Sequence, residues 1–302
     1  MPGVQSHRRL AGVKCVLAVA LAGMWVATEA GAADAIHIAT AARSLRQGDV
    51  VLFTASTIEP LDALRARAFD RDVATFRLDS QTWQALLGID LETKAGSYVV
   101  SFEGVSGGHA VTATTTIGIK PRVFGTRVLI VDDAFVNPPG PLLARITDEA
   151  AALDRLWTQS TPSRLWSDSF VRPVPGPANG AFGTRSIFNG ERRQPHGGAD
   201  FLSPAGTPVR APNSGRVVLA RNLYFTGNTV VIDHGLGLFS LMAHLSIVDV
   251  HEGDPVNRGE TVGAVGATGR VTGPHLHWAV RMNAARVDPL AVLAIHGLPA
   301  NP

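Results

Sequence analysis

Between residues 178 and 292 the chain alternates short apolar stretches with glycine-centred turns, which leaves little room for helices. Val217-Val218-Leu219-Ala220, Asn228-Thr229-Val230-Val231-Ile232, Leu238-Phe239-Ser240-Leu241-Met242 and Leu276-His277-Trp278-Ala279-Val280 have the length and composition of strands. Gly253-Asp254 and Gly259-Glu260 supply turns between such stretches. β-Branched and aromatic side chains pack well on a pleated surface, and glycine adopts turn conformations that other residues resist. The region is expected to be all-β with tight turns. Gly263, Gly266 and Gly269 do not form a dinucleotide fingerprint, because no helix follows and no βαβ context surrounds them.

Residues 33–145 carry a similar signal. Val50-Val51-Leu52-Phe53, Ser97-Tyr98-Val99-Val100-Ser101-Phe102, Val111 to Ile117 and Arg127-Val128-Leu129-Ile130-Val131 lie at hairpin-like spacing. They predict a small antiparallel β-sandwich-like domain. Pro60 to Phe69 has apolar residues near helical spacing but is short for a helix. Asn137-Pro138-Pro139-Gly140-Pro141 breaks the pattern, and Thr147 to Gln159 then reads as a helix. Thr147 would be its N-cap, with Asp148 and Glu149 in the first turn, where negative charge is favoured. Ile146, Ala150, Leu153 and Trp157 give that helix one apolar stripe. Arg172-Pro173-Val174-Pro175-Gly176-Pro177 reads as a rigid, extended linker. The expected chain is mostly β, with a first domain over 33–145, a helix and Pro-rich linker over 146–177, and a second domain over 178–302.

Residues 1–32 have the three-part layout of a secretory signal. His7, Arg8, Arg9 and Lys14 make a positive start, Val16 to Ala27 is a short apolar run, and Ala30-Gly31-Ala32 is a small-x-small cleavage pattern. The run falls well short of the ~20 apolar residues that span a bilayer. Cleavage after Ala32 is expected, with a periplasmic or secreted fate and no stable membrane anchor. Cys15, preceded by Val13-Lys14, does not resemble a lipoprotein acylation site. It is the only cysteine, so the mature chain would have no disulfide. Loss of Arg8, Arg9, Lys14 and Glu29 takes the formal net charge from +2 to 0. No basic run argues for nucleic acid as a partner.

Of ten histidines, seven fall between residues 196 and 296. Two short patterns stand out there: His196-Gly197-Gly198-Ala199-Asp200 and His275-Leu276-His277. Alternate residues of a strand share a face, so His275 and His277 project into one groove while Leu276 and Trp278 turn to the core. His196 and Asp200 are also an even number of residues apart, with glycines between them that let the backbone approach a metal closely. Neutral imidazole and carboxylate form a zinc-ligand set, and three protein ligands leave a fourth position for water. The helical HExxH motif is absent, so no glutamate is placed as general base.

Several stretches in fixed order resemble the lysostaphin- and LytM-type zinc metallopeptidases. They are Phe182-Gly183-Thr184-Arg185, His196 to Phe201, Pro204 to Val209, Gly227 to Gly235, Ala243-His244-Leu245-Ser246, Gly266 to Arg270, and Thr272 to Trp278. The resemblance covers roughly residues 180–290 and implies the duplicated hybrid motif fold. It implies a zinc metalloendopeptidase that hydrolyses peptide bonds in the cross-links or stem peptides of bacterial peptidoglycan. Carried over by residue, His196, Asp200 and His277 would hold one Zn²⁺, and His275 and His244 would be the catalytic pair. Arg185 would line the substrate groove or simply stabilise the fold. Met242 departs from the aromatic residue that many relatives have there, which bears on groove shape. Ala85 to Asp90 and Leu91 give a weaker likeness to a domain that precedes the catalytic module in some exported relatives.

Three readings follow. The first is a zinc peptidoglycan hydrolase. The second is a non-catalytic LytM-type module that binds cell wall and activates another hydrolase. The third is an enzyme held latent by residues 34–168. Of the other histidines, His234 is expected to be structural, and His251 and His296 solvated. His37 and His109 are isolated and carry no catalytic spacing.

Overall fold

The computed structural model describes residues 36–179 and 181–295, so the expected signal segment and His296 lie outside the described residues. Among the described residues, no helix is long and apolar enough to cross a membrane.

The N-terminal part folds into β1 (His37–Ala42), β2 (Val50–Ser56), β3 (Leu61–Ala68), β4 (Arg71–Val73), β5 (Thr75–Arg77), β6 (Thr82–Gly88), β7 (Gly96–Ser106) and β8 (His109–Ile119). One sheet has the order β1-β2-β6-β5 and the other β4-β3-β7-β8. Val51, Phe53 and Leu87 of the first sheet meet Leu61, Val100, Phe102 and Ile117 of the second in one core. This is the sandwich that the alternation predicted, and the fold is mostly β as expected. The segment with helical spacing is strand β3. A bulge between Leu61 and Ala63 shifts the register, so Leu61 and Leu64 are both buried. That extra residue turns a two-residue repeat into a three-residue step, which is why the sequence looked helical there.

β9 (Thr126–Leu129) and a 3-10 turn at Asp133–Phe135 lead into helix α1 (Gly140–Leu156). The helix begins a full turn and more before the expected N-cap. Thr147 lies inside it, and its hydroxyl donates to the Leu143 carbonyl. Pro141 sits in the first turn, where a residue without N–H loses no helical bond and its fixed φ suits the helix. The Pro-rich stretch therefore starts the helix. Leu153 and Trp157 pack on Leu219, Phe239, Leu241 and Ala243, which form the outer face of the large sheet. The 172–177 stretch is docked on the second half of the chain. Val174 is buried, Arg210 N–H donates to the Pro173 carbonyl, and Ser203 Oγ donates to the Pro175 carbonyl.

The C-terminal part contains β10 (Arg185–Phe188), β11 (Glu191–Arg192), β12 (Gly198–Phe201), β13 (Pro208–Arg210), β14 (Gly215–Leu223), β15 (Gly227–Gly235), β16 (Leu238–Val248), β17 (Pro255–Val256), β18 (Thr261–Val265), β19 (Leu276–Met282) and β20 (Ala285–Val287), then α2 (Pro289–Leu293). A nine-stranded sheet runs β12-β19-β16-β15-β14-β17, with β18 on β13 and β16, and β20 on β19. Its inner face buries Met242, Leu276, Trp278 and Val280. The same core takes in Val50, Leu52, Phe76 and Leu86 from the far side of the first N-terminal sheet. Strand β2 is thus buried on both faces, Val51 and Phe53 in one core and Val50 and Leu52 in the other. Ionic contacts reinforce the junction. Asp288 accepts from Arg43 at 3.0 Å and from Arg122 at 3.1 Å, and Asp90 accepts from Arg286 at 2.8 Å. Burial would raise the Asp90 carboxyl, but the hydrogen bonds from Arg286 outweigh it and hold the group below the usual carboxylate range.

Candidate metal centre and its cleft

Strands β12 and β19 are antiparallel neighbours, and Asp200 lies directly opposite His277. Directly opposed residues share a face, so their side chains meet. His196 lies just before β12. Its N–H donates to the Thr184 carbonyl and its carbonyl accepts from Gly183 N–H, which pins the approach to the strand. His196 Nε2 is 3.0 Å from Asp200 Oδ1, and His277 Nδ1 is 2.9 Å from the same oxygen. The three donor atoms all lie within 4.8 Å of one another. Gly198 makes this closeness possible, since a Cβ there would sit 2.8 Å from His277 Cε1. Two imidazole nitrogens and a carboxylate oxygen are zinc donors, and ligands at about 2.0–2.1 Å from a tetrahedral ion stand little farther apart than these atoms do. The residues fit a single zinc ion with one open position. Burial would raise the Asp200 carboxyl, but hydrogen bonds from His196 and His277 hold it far below the usual range, so it stands as an anion. Burial pushes His277 down against the pull of Asp200, which favours the neutral, ligating imidazole.

His244 reaches the same place by a different device. By simple alternation along β16 it would join Met242 in the inner core. Two residues of β16, Ala243 and His244, instead oppose the single Thr229 of β15, and His244 takes a left-handed backbone with φ of +65°. This bulge turns its ring to the face of His277, which pairs with Ala243. The His244 and His275 ring centroids lie 4.9 Å apart. His244 Nδ1 is 2.9 Å from the Thr268 carbonyl, and His275 Nδ1 is 2.9 Å from the Gly273 carbonyl. A carbonyl only accepts, so each Nδ1 carries a proton, and the neutral form of either ring keeps its lone pair on Nε2. Burial pushes His244 down to about 3, so it rests neutral. His275 Nε2 is 3.9 Å from Asp200 Oδ1. The His244 and His275 rings, each fixed through Nδ1, thus flank the three donors, an arrangement suited to accepting and returning a proton.

All five side chains open into one cleft of about 370 Å³. Its far wall comes from the N-terminal part. Strand β9 pairs in parallel with β10, with Arg127 beside Ser186 and Leu129 beside Phe188, and all four residues line the cleft. Arg127 Nε donates to Ser186 Oγ at 3.0 Å, and its guanidinium is 3.8 Å from Asp200 Oδ2. Arg185 points the other way along β10. It is exposed and lines a separate cavity with Thr126, Ile187 and Arg192. Sequence reasoning thus named Arg185 and missed Arg127. The period-two rule puts residues 185 and 186 on opposite faces, but only the β9–β10 pairing says which face the cleft uses. Arg270, also in the cleft, had one signal, its place in the Gly266–Arg270 stretch.

The remaining histidines stand apart. His234 is fully buried between the Ser214 carbonyl and the Ser240 hydroxyl. His251, His37 and His109 are exposed.

The fold and the site together define a single-metal hydrolase centre carried on an antiparallel sheet. The sequence pattern of peptidase family M23 matches residues 194–289. A crystal structure from Pseudomonas aeruginosa attributed to peptidase M23 is 34% identical, covers 83% of this chain and 96% of its own, and superposes with a TM-score of 0.64. The chain belongs to peptidase family M23. It is similar over 100 residues to the peptidoglycan DD-endopeptidase ShyA of Vibrio cholerae, at 44% identity over 33% of this chain and 23% of that one. Over 97 residues it is similar to the DD-carboxypeptidase/endopeptidase Mpg of Neisseria meningitidis, at 45% identity over 32% of this chain and 22% of that one. The matched region spans under a quarter of the length of these curated relatives.

Proposed function

We propose that this chain is an exported zinc endopeptidase that hydrolyses peptide bonds in the cross-links or stem peptides of bacterial peptidoglycan. The observation that carries the reading is the convergence of His196, Asp200 and His277 at one end of a cleft that also receives His244 and His275. Zinc held by the first three residues supplies a Lewis acid that activates water and polarises a peptide carbonyl. The chain's own groups do the rest. His275 and His244 divide two tasks between them, moving the proton from the attacking water to the leaving amine and holding the developing oxyanion. Phe188 and Phe225 give the cleft apolar walls against which an extended peptide can lie. The substrate is taken from the relative ShyA, whose name describes a peptidoglycan endopeptidase, and from the expected signal segment ending at Ala32. That substrate lies outside the cytoplasm, so an active enzyme belongs in the periplasm or beyond.

The boundaries we propose are an N-terminal region over 33–145, a connecting region over 146–177 and the catalytic domain over 178–302. Within the 34–168 region, Arg127, Leu129 and Val131 contribute a wall to the cleft, and we propose that this wall limits access as intramolecular inhibition would. If so, Leu129→Gly raises turnover of intact peptidoglycan; unchanged or lower turnover removes inhibition from the reading.

The purified mature protein should bind about one zinc and release peptides from peptidoglycan, with the scissile bond identified by mass spectrometry. His277→Ala should lose both metal and turnover. The alternative, a non-catalytic module that activates another hydrolase, requires a protein without zinc or turnover that binds cell wall and stimulates an amidase. The complete set of five side chains speaks against it.

A further inference from the structure

Three guanidinium groups face the metal-site cleft, and the protein answers only part of their charge. Arg127 and Arg193 each have a polar partner. Arg127 bonds Ser186 and approaches Asp200, while Arg193 pairs with Glu191 at 2.7 Å and donates to the Val136 carbonyl. Arg193 Nε is nonetheless buried without a hydrogen-bond partner. Arg270 is the telling one. Its guanidinium lies 4.5 Å from the ring centre of Phe225 and 4.9 Å from that of Phe188, and among the described residues no carboxylate pairs with it. Asp200, the acid in the same cleft, is already engaged by His196 and His277.

A desolvated cation is costly unless an anion meets it, and aromatic faces offset only part of that cost. Burial pushes Arg270 down to about 10, with repulsion from Arg193 and Arg127 adding to it, so the three cations are close enough to feel one another. Contact with both rings holds the guanidinium in place, and among the described residues no protein group accepts from its fork, which leaves the N–H edge for a ligand. A planar fork of this kind matches a carboxylate with two parallel hydrogen bonds.

We infer that Arg270, flanked by Arg127 and Arg193, binds a free carboxylate of the peptide substrate and selects carboxylate-bearing stem peptides over neutral bridges. This rests on the peptidoglycan-peptide reading above. It adds a substrate class, since an uncharged glycine bridge leaves the three cations unanswered. The carboxylate can come from the free terminus of a stem peptide or from the diamino acid through which two stems are joined.

The test uses the zinc-loaded mature protein and three synthetic cross-linked dimers. One has free carboxylates, one has the terminal carboxylate as an amide, and one has the diamino-acid carboxylate as an amide. Amidating the recognised carboxylate should lower kcat/KM about tenfold or more, the usual worth of a charge-assisted hydrogen bond. In Arg270→Gln that ratio should fall to about one, and Arg270→Lys should restore part of it. Arg127→Gln, at a less buried position, should shrink the ratio even if Arg270→Gln folds poorly. A wild-type ratio near one for both amides overturns the inference, as does a ratio that survives Arg270→Gln and Arg127→Gln. If no dimer is cleaved, the endopeptidase reading fails by itself. Calorimetric Kd values for the same three dimers then decide the matter: tenfold weaker binding of one amide upholds the carboxylate site, and equal or absent binding overturns it.

Discussion

His234 makes stability depend on pH in a way that can be worked from its surroundings. It lies at the end of β15, fully buried, with its ring edge-on to Phe170 at 5.2 Å. Nδ1 donates to the Ser214 carbonyl at 2.8 Å, and Nε2 accepts from the Ser240 hydroxyl at 2.9 Å. Both nitrogens are satisfied by the neutral ring, and a second proton would replace an acceptor with a donor. Burial pushes the imidazole down to about 4, although the Ser214 carbonyl and Asp233 pull the other way. The unfolded chain titrates near 6.5. For a base depressed by folding, the stabilisation is fully present above the unfolded value. It is lost as pH falls from about 6.5 toward 4, because the unfolded state takes up a proton that the folded state refuses. Between pH 7 and pH 5 this amounts to about 2 kcal/mol, a sizeable share of the ~5–15 kcal/mol that holds a domain together. His244 and His277, also depressed, add the same sign. The informative quantity is therefore the difference between wild type and His234→Gln, which has a donor and an acceptor but does not titrate. Urea unfolding followed by tryptophan fluorescence, with zinc chelated in both proteins, should show the wild type losing about 2 kcal/mol more than the variant over that range. Parallel pH profiles for the two proteins would refute the reasoning, whatever their stabilities at pH 7.

Three further outcomes follow from the geometry. His275→Ala should keep its zinc, measured by metal analysis, but lose turnover by about 10²-fold or more; a wild-type rate would sink the proton-transfer role. Gly198→Ala has no room for its methyl group beside the His277 ring. It should cost about 1–3 kcal/mol in thermal or urea unfolding and lower zinc occupancy, and normal values of both would show that the strand gives way easily. Leu52→Ala removes a side chain of the shared strand β2 from the C-terminal core. It should cost about 2–5 kcal/mol and lower the melting of the N-terminal and C-terminal halves together; separate transitions, one of them unmoved, would mean the cores are independent.

What could be seen in the sequence was whatever repeats locally. Strand alternation is a property of each segment alone, so the mostly β chain and the two faces of Leu276-His277-Trp278 were legible. The same rule put His275 and His277 on one side, and the spacing of His196 and Asp200 placed both within reach. Local rules failed where an element was irregular. The bulge in β3 imitated helical spacing, and Thr147 had the chemistry of an N-cap but sits inside a helix that Pro141 begins. His244 is the instructive case. Alternation alone would send it into the core beside Met242, and the resemblance to known peptidases, not its local pattern, gave it a role.

The sequence by itself supplied the candidate donors, since imidazoles and a carboxylate at even spacings in a β-rich segment have zinc chemistry, and the resemblance to known peptidases singled out His196, Asp200 and His277 among them. Only the tertiary structure decided how the donors become a site. Pairing of β12 with β19 sets Asp200 against His277, the β16 bulge turns His244 to join them, and β9 brings Arg127 to the cleft while Arg185 faces away. It also decided that the N-terminal sheet lends its second face to the C-terminal core. The physical reason is the range of each constraint. A side chain's direction along its own strand follows from backbone geometry over two residues, whereas register, bulges and sheet partners are set by distant segments competing to bury the same apolar surface.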